Sequence, residues 1–256
     1  MSVRLLLIAA IALLHTCAAE PVNGVWIVAH RGFKAVAPEN SIAAFEAAFA
    51  VDADYMEVDV RPTKDRELIL MHDGKVDRTT NGKGLVTDFL FTDIRKLDAG
   101  QLQPVITFRE ALLWAKKSGA RIDVDHKDGT VEEVAKVIKD TGMTDRVVIE
   151  GARARLLRFT ELLPGVDTMP KVTSVDDIRT ACEALHTTVI RLSLAQLEQP
   201  NAVNAVRRCG ARVSVTILGQ EDTEEGIRRV IASGAQIIET DHPDIVARIR
   251  RTAKPQ

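Results

Sequence analysis

Aromatic side chains make up only 4% of the 256 residues, so the chain offers no stacking platform of the kind single-stranded nucleic acids need. Basic excess is missing as well. Lysine and arginine nearly balance aspartate and glutamate, and the formal net charge of −2 argues against any nucleic-acid partner. The three cysteines, Cys17, Cys182 and Cys209, are too few to form a disulfide framework in a domain of this size. Cys182 and Cys209 lie in segments of helical pattern and read as two small buried hydrophobes. The longest apolar run, residues 5–14, is too short to cross a bilayer comfortably.

That run has another reading. Arg4 supplies a positive start, the apolar stretch follows, and Cys17-Ala18-Ala19 offers small residues for cleavage before Glu20. Residues 1–19 are therefore expected to be a signal peptide, leaving a secreted or periplasmic domain over residues 20–256. Anchoring as a lipoprotein through Cys17 is the weaker reading, because His15-Thr16 is a poor match to the small residues that usually precede an acylated cysteine. Loss of Arg4 takes the net charge from −2 to −3.

Nearly half of the residues are apolar, enough for a sizeable core. After a short strand at residues 25–29, strand and helix patterns alternate to the end of the chain. Eight strands that are each followed by a helix, in about 230 residues, predict an α/β fold of the (β/α)₈ TIM-barrel type. A doubly wound open sheet is the alternative, but the glycine-rich nucleotide turn expected after its first strand is absent, since only Gly32 occurs there. A small insertion, about residues 61–104, interrupts the rhythm after the second strand. It includes a long connection of the sort that is usually functional.

The chemistry collects around residues 55–73. Glu57 and Asp59 sit two apart in a valine-rich strand, so both carboxylates face the same way. A turn near Asp65 then leads into residues 68–71. The connection is too short for a parallel crossover, so an antiparallel hairpin is expected, with Asp59 across from His72. In a barrel the active site lies at the carboxyl ends of the strands. His30 ends the first strand, and Asp125 with Lys127 ends the third. Glu57, Asp59 and Asp125 suit one hard divalent cation, Ca²⁺ or Mg²⁺. Zinc fits less well, with neither cysteine near the cluster. His30 and His72 beside such a cation are placed for general acid and base work. Arg31 and Lys127 add the positive charge a phosphoryl group requires.

His30-Arg31-Gly32, Pro38-Glu39-Asn40-Ser41, Glu57-Val58-Asp59-Val60, His72-Asp73 and Arg78-Thr79-Thr80-Asn81-Gly82 occur in this order. Asp125-x-Lys127 and Thr240-Asp241 with Pro243 follow them. Taken together the set resembles the glycerophosphodiester phosphodiesterases over about residues 25–244. The resemblance implies a barrel enzyme that cleaves small-molecule glycerophosphodiesters to glycerol 3-phosphate and an alcohol, with a divalent metal. It implies Glu57, Asp59 and Asp125 as metal ligands, His30 and His72 as the acid–base pair, and Arg31 and Lys127 as phosphate contacts. It requires no obligatory membrane contact.

There are three departures from that pattern. Asp125 stands where the family usually has glutamate, and an alternative register would put Asp123 there; only the first keeps a lysine two residues on. Val215-Thr216 replaces Trp-Thr, and Gly151-Ala152-Arg153 replaces Ser-Phe. These changes bear on the identity of the alcohol. A lysophospholipase D or phospholipase C-like substrate would need an apolar rim at the mouth, for which Phe89-Leu90-Phe91 is the candidate. A non-catalytic phosphate binder would have no use for two histidines.

Other residues have more than one reading. Asn40 can cap the first helix or orient a catalytic group, and Asp123 can partner the site or sit deeper in the barrel. Arg153, Arg155 and Arg158 read as a solvated helix face. Arg248, Arg250 and Arg251 read as charges favoured at a helix carboxyl end.

Overall fold

The computed structural model describes residues 24–252; the expected signal peptide and Cys17 lie outside them. The chain runs β1 (Trp26–Ala29), α1 (Ile42–Ala50), β2 (Tyr55–Pro62), β3 (Leu68–Leu70), α2 (Phe91–Ile94), α3 (Phe108–Ser118) and β4 (Arg121–His126). It continues α4 (Val131–Thr141), β5 (Val147–Gly151), α5 (Arg153–Leu162), β6 (Asp167–Pro170), α6 (Val175–Leu185) and β7 (Val189–Leu192). The last elements are α7 (Leu194–Leu197), α8 (Pro200–Arg208), β8 (Arg212–Thr216), α9 (Glu224–Ala232), β9 (Ile237–Thr240) and α10 (Pro243–Thr252).

Every strand but β3 is parallel to its neighbours, in the order β6-β5-β4-β2-β1-β9-β8-β7. The two ends of that order meet at a seam where a single bridge, Lys171 to Arg191, joins β6 to β7. The result is a nearly closed eight-stranded barrel sheathed in helices. Several helices begin and end on local signals. Thr107 with Glu110 and Thr130 with Glu133 form capping boxes, and α3 and α4 then stop at Gly119 and Gly142 in left-handed backbone.

Alternation along the strands separates two environments. Residues such as Met56, Val58, Val60, Ile122, Val124, Ile149 and Ile190 face the helices and form the main core. The opposite set faces the barrel interior. Trp26, Val28, Val148, Met169, Val189 and Ile237 close its floor with apolar contacts. Above them come the charged residues Glu57, Asp123, Glu150, Arg191 and Glu239, all buried.

The insertion has a core of its own, built from Ile69, Met71, Val76, Val86, Ile94 and Val105. Phe89 and Phe91 pack against it. Those two rings therefore contribute to the packing of the insertion, while Leu90 between them is exposed.

Two expectations are corrected, the hairpin register and the state of the cysteines. The hairpin turn does centre on Asp65, since Pro62 pairs with Leu68, but this register sets Met71 rather than His72 against Asp59. Met71 N–H donates to Asp59 O at 2.9 Å. Cys182 and Cys209 are joined in a disulfide, because the packing of α6 beside α8 brings their Cα atoms to 6.1 Å. Arg250 lies in the last turn of α10 as expected, but it is also buried and reaches Asp54 Oδ2 and Asp52 O, each at 2.6 Å. Arg153 and Arg158 lie on a solvated face of α5 as expected, and there they pair with Asp177 and with Glu132 and Glu161.

Candidate active site

At the carboxyl end of β1 the backbone turns sharply through Arg31 and Gly32, both at positive φ (58° and 81°). A side chain on Gly32 would meet the Cβ of Ala44 at 2.7 Å, so only glycine lets α1 pack this close to the turn. The turn aims the Arg31 N–H at Glu57 Oε2, 2.9 Å away. It also places Arg31 Nε 3.1 Å from Asp59 Oδ2 and Nη1 3.1 Å from Glu39 Oε1.

Parallel pairing of β2 with β4 sets Glu57 beside Asp123 and Asp59 beside Asp125. One oxygen each from Glu57, Asp59 and Asp125 fall within 4.8 Å of one another. Asn40, also at positive φ, fixes Asp59 twice: its Nδ2 donates to Asp59 Oδ2 at 2.8 Å, and its Oδ1 accepts the Asp59 N–H at 3.2 Å. The helix cap is Ser41, whose hydroxyl accepts the Ala44 N–H. Of the two readings of Asn40, it orients a site carboxylate and does not cap α1.

Lys127 Nζ bridges Asp125 Oδ2 (2.6 Å) and Asp59 Oδ1 (3.0 Å). Burial opposes its charge, but Asp59 and Asp125 hold the ammonium above the usual lysine range. Burial likewise opposes ionisation of Asp125; Glu150, Lys171 and Lys127 outweigh it and hold that carboxyl well below the ordinary carboxylate range. Glu57 goes the other way. Burial, reinforced by Asp59, Glu239, Glu150 and Asp123, pushes its carboxyl well above the usual range. Crowded acids of this kind, in an all-oxygen set of three, fit a hard divalent cation, which would remove the repulsion and leave coordination positions for other oxygens.

His30 is buried, with Nδ1 2.7 Å from Asp241 Oδ1 and Nε2 3.9 Å from Glu239 Oε1. Lys34 Nζ joins Asp241 Oδ1 at 2.9 Å. His72 lies at the rim, where the guanidinium of Arg61 donates twice to its carbonyl (3.0 and 2.8 Å). Its Nδ1 lies 2.7 Å from Asp73 Oδ1. From Asp73 a chain of ion pairs runs through Arg78 and Glu39 to Arg31, tying the rim histidine to the acid cluster. Each imidazole is thus anchored through Nδ1 to a carboxylate, which leaves Nε2 for proton transfer.

Beneath the cluster, Arg191 Nη2 lies 3.2 Å from Asp123 Oδ2 and 3.0 Å from Glu150 Oε2, while Nη1 bonds Glu239. Burial pushes Glu150 up to about 7 even with Arg191 and Lys171 beside it. Asp123 therefore sits deeper in the barrel, facing Arg191, and Asp125 is the acid in the cluster.

All seven residues singled out from the sequence lie at this end of the barrel: His30, Arg31, Glu57, Asp59, His72, Asp125 and Lys127. Glu39, Arg78 and Asp241 were present in the quoted motifs without a role. Glu150, Lys171, Arg191 and Glu239 were missed, although period-two alternation along their strands points all of them inward.

Residues 30–244 match the Glycerophosphoryl diester phosphodiesterase family. A glycerophosphodiester phosphodiesterase of Bacillus altitudinis is 30% identical over 248 residues, covering 89% of this chain and 99% of that one. YhdW of Bacillus subtilis (strain 168) is 38% identical over 155 residues, 56% of this chain and 64% of that protein. Among solved structures, the glycerophosphodiester phosphodiesterase from Agrobacterium tumefaciens str. C58 superposes with a TM-score of 0.78 at 28% identity, covering 88% of this chain and 99% of that one. With the same fold and a family match spanning most of its length, this chain belongs to the glycerophosphoryl diester phosphodiesterase family and is a phosphoric diester hydrolase.

Proposed function

We propose that the enzyme converts small glycerophosphodiesters to glycerol 3-phosphate and an alcohol, with Glu57, Asp59 and Asp125 holding one divalent cation, Ca²⁺ or Mg²⁺. The observation that carries this is the three carboxylates within 4.8 Å of one another. Bound there, such a cation supplies Lewis-acid stabilisation of phosphoryl oxygens. Asn40 keeps Asp59 turned toward the cluster, and Arg31 and Lys127 supply fixed positive charge on either side.

The proton work falls to the two imidazoles. One Nε2 takes the proton of the neighbouring glycerol hydroxyl as its oxygen bonds to phosphorus. The other Nε2 protonates the alcohol oxygen as its bond to phosphorus breaks. Water then opens the cyclic phosphate with the two roles exchanged. Asp241 and Asp73 hold each ring in the tautomer that presents Nε2. We also propose that the enzyme works outside the cytosol: the apolar leader and a disulfide between Cys182 and Cys209 both suit an oxidising compartment.

The test is release of glycerol 3-phosphate from glycerophosphocholine and glycerophosphoethanolamine, with and without chelator. His30→Ala and His72→Ala should each lower turnover about 10²- to 10⁴-fold. Turnover that survives exhaustive chelation removes the metal from the proposal. A histidine variant at the wild-type rate removes that residue from it.

A further inference from the structure

Three cations surround the acid cluster, and they differ in how tightly they are held. Arg31, 11% exposed, is locked between Glu39 and Asp59, and Lys127, 21% exposed, between Asp59 and Asp125. Lys171 is 49% exposed, with Nζ 2.8 Å from Glu150 Oε1 and 3.5 Å from Asp125 Oδ2. Its main chain is fixed: the N–H donates to Gly151 O at 3.0 Å, and the residue forms the seam bridge to Arg191. A backbone tied at both sides thus carries a half-exposed ammonium at the edge of the cluster.

Neither acid depends on Lys171 alone. Glu150 has Arg191 at 3.0 Å, and Asp125 has Lys127 at 2.6 Å. Both acids keep a second cation when Lys171 is removed, and its own ammonium is half exposed, so fold maintenance is a weak account of a lysine here. A cation shared by Glu57, Asp59 and Asp125 would also take over part of the Asp125 charge. Lys171 can then turn toward the mouth without leaving a buried charge bare, which Arg31 and Lys127 cannot do.

We propose that Lys171 is a substrate-binding residue that contacts the phosphoryl oxygens from the β6 side, and that it binds dianionic glycerol 3-phosphate more strongly than a monoanionic diester. This rests on the diesterase reading above. Coulomb attraction to one ammonium scales with the ligand's charge, so its loss must weaken the product more than the substrate.

The experiment compares wild type, Lys171→Met and Lys171→Arg in saturating Mg²⁺, with glycerophosphocholine as substrate and glycerol 3-phosphate as inhibitor and as a calorimetric ligand. For Lys171→Met we expect KM to rise about 3- to 10-fold with kcat within about threefold, and glycerol 3-phosphate to bind more than 10-fold more weakly by calorimetry. Lys171→Arg should recover most of both. The proposal is overturned if Lys171→Met binds glycerol 3-phosphate like wild type. It is also overturned if the variant shifts only the Mg²⁺ concentration for half-maximal activity, since Lys171 would then be positioning the acids. Lys171→Arg keeps the charge and controls for folding. A wild-type enzyme that binds glycerol 3-phosphate through Lys171 but releases none from any diester would sink the diesterase reading and leave the binding assignment standing.

Discussion

Replacing Arg191 with methionine tests the electrostatics on which the whole interior rests. Three buried acids converge on this guanidinium, and they do not lose equally when it goes. Glu150 keeps Lys171 at 2.8 Å, and Glu239 keeps the Thr216 hydroxyl at 3.0 Å. Asp123 is fully buried, and its Oδ2 loses the Arg191 Nη2 that lies 3.2 Å away. Removing one partner of a buried pair costs about 3–5 kcal/mol, which for a domain of this size lowers the melting midpoint by about 10 °C or more.

The loss should depend on pH with a definite sign. Burial, with Glu150 adding to it, holds Asp123 well above the usual carboxylate range even with Arg191 in place. Deleting the guanidinium raises it further. A carboxylate raised in both proteins is penalised alike until pH reaches its wild-type folded pKa, so the deficit grows only above that value, which for Glu150, also deprived of Arg191, is about 7. Urea titrations at pH 5 and pH 8 should show the larger deficit at pH 8, with part recovered by adding Asp123→Asn. A deficit under about 1 kcal/mol at pH 8, or one indifferent to both pH and Asp123→Asn, would show that these acids are not ionised against Arg191.

Asn40→Gly preserves the left-handed backbone but deletes both contacts to Asp59, and should weaken divalent-cation affinity about 10- to 100-fold; unchanged Mg²⁺ binding by calorimetry would refute the orienting role. Without a cation, Glu150 near 7 and the raised Glu57 make stability fall as pH rises from about 4.5 toward 7. A divalent cation must displace the Glu57 proton, so Mg²⁺ should raise the melting midpoint more at pH 8 than at pH 5, and equal increments would count against it as ligand. The Cys182–Cys209 bond closes a 27-residue separation, so Cys182→Ser with Cys209→Ser should cost about 3–4 kcal/mol, close to 10 °C; a double variant melting within about 2 °C of wild type would mean the bond adds no stability.

The barrel and most of the site could be read from local pattern. Glu57, Asp59 and Asp125 are set on one face of their strands by period-two alternation, and Asp125 lies near the carboxyl end of β4 beside Asp59, so strand position brings them together. Where the reading failed, the deciding contacts were distant in sequence. The disulfide depends on α6 packing beside α8, and nothing within either helix announces it. Arg250 resembled its neighbours Arg248 and Arg251, yet it is buried by Asp54 and the Asp52 carbonyl, almost 200 residues earlier. Arg191 sits in a strand that looks wholly apolar, and the acids that justify its charge come from β4, β5 and β9. The hairpin register slipped by one because Asp59 was paired by counting across a loop, while Pro62 opposite Leu68 sets Met71 there.

The distribution of these charges also explains why a cation would settle at the acid cluster rather than lower down. The group Asp123, Glu150 and Glu239 has ligand oxygens as close together, but Arg191 fills its centre. His30, Glu57 and Glu239 form a third such group, in which His30 is drawn to Asp241 and Glu239 to Arg191. Glu57 is different. Among the described residues its one hydrogen-bond donor is the Arg31 backbone N–H, and no lysine or arginine side chain pairs with it. It stands next to Asp59 and Asp125, whose cationic partners Arg31, Lys127 and Lys171 approach from the sides. Glu57 is thus an acid of the barrel interior that lacks a side-chain cation among the described residues, and it shares its group with Asp59 and Asp125. A divalent ion placed there relieves the repulsion on Glu57, whereas in the other two groups it would have to compete with Arg191 or break the His30–Asp241 contact.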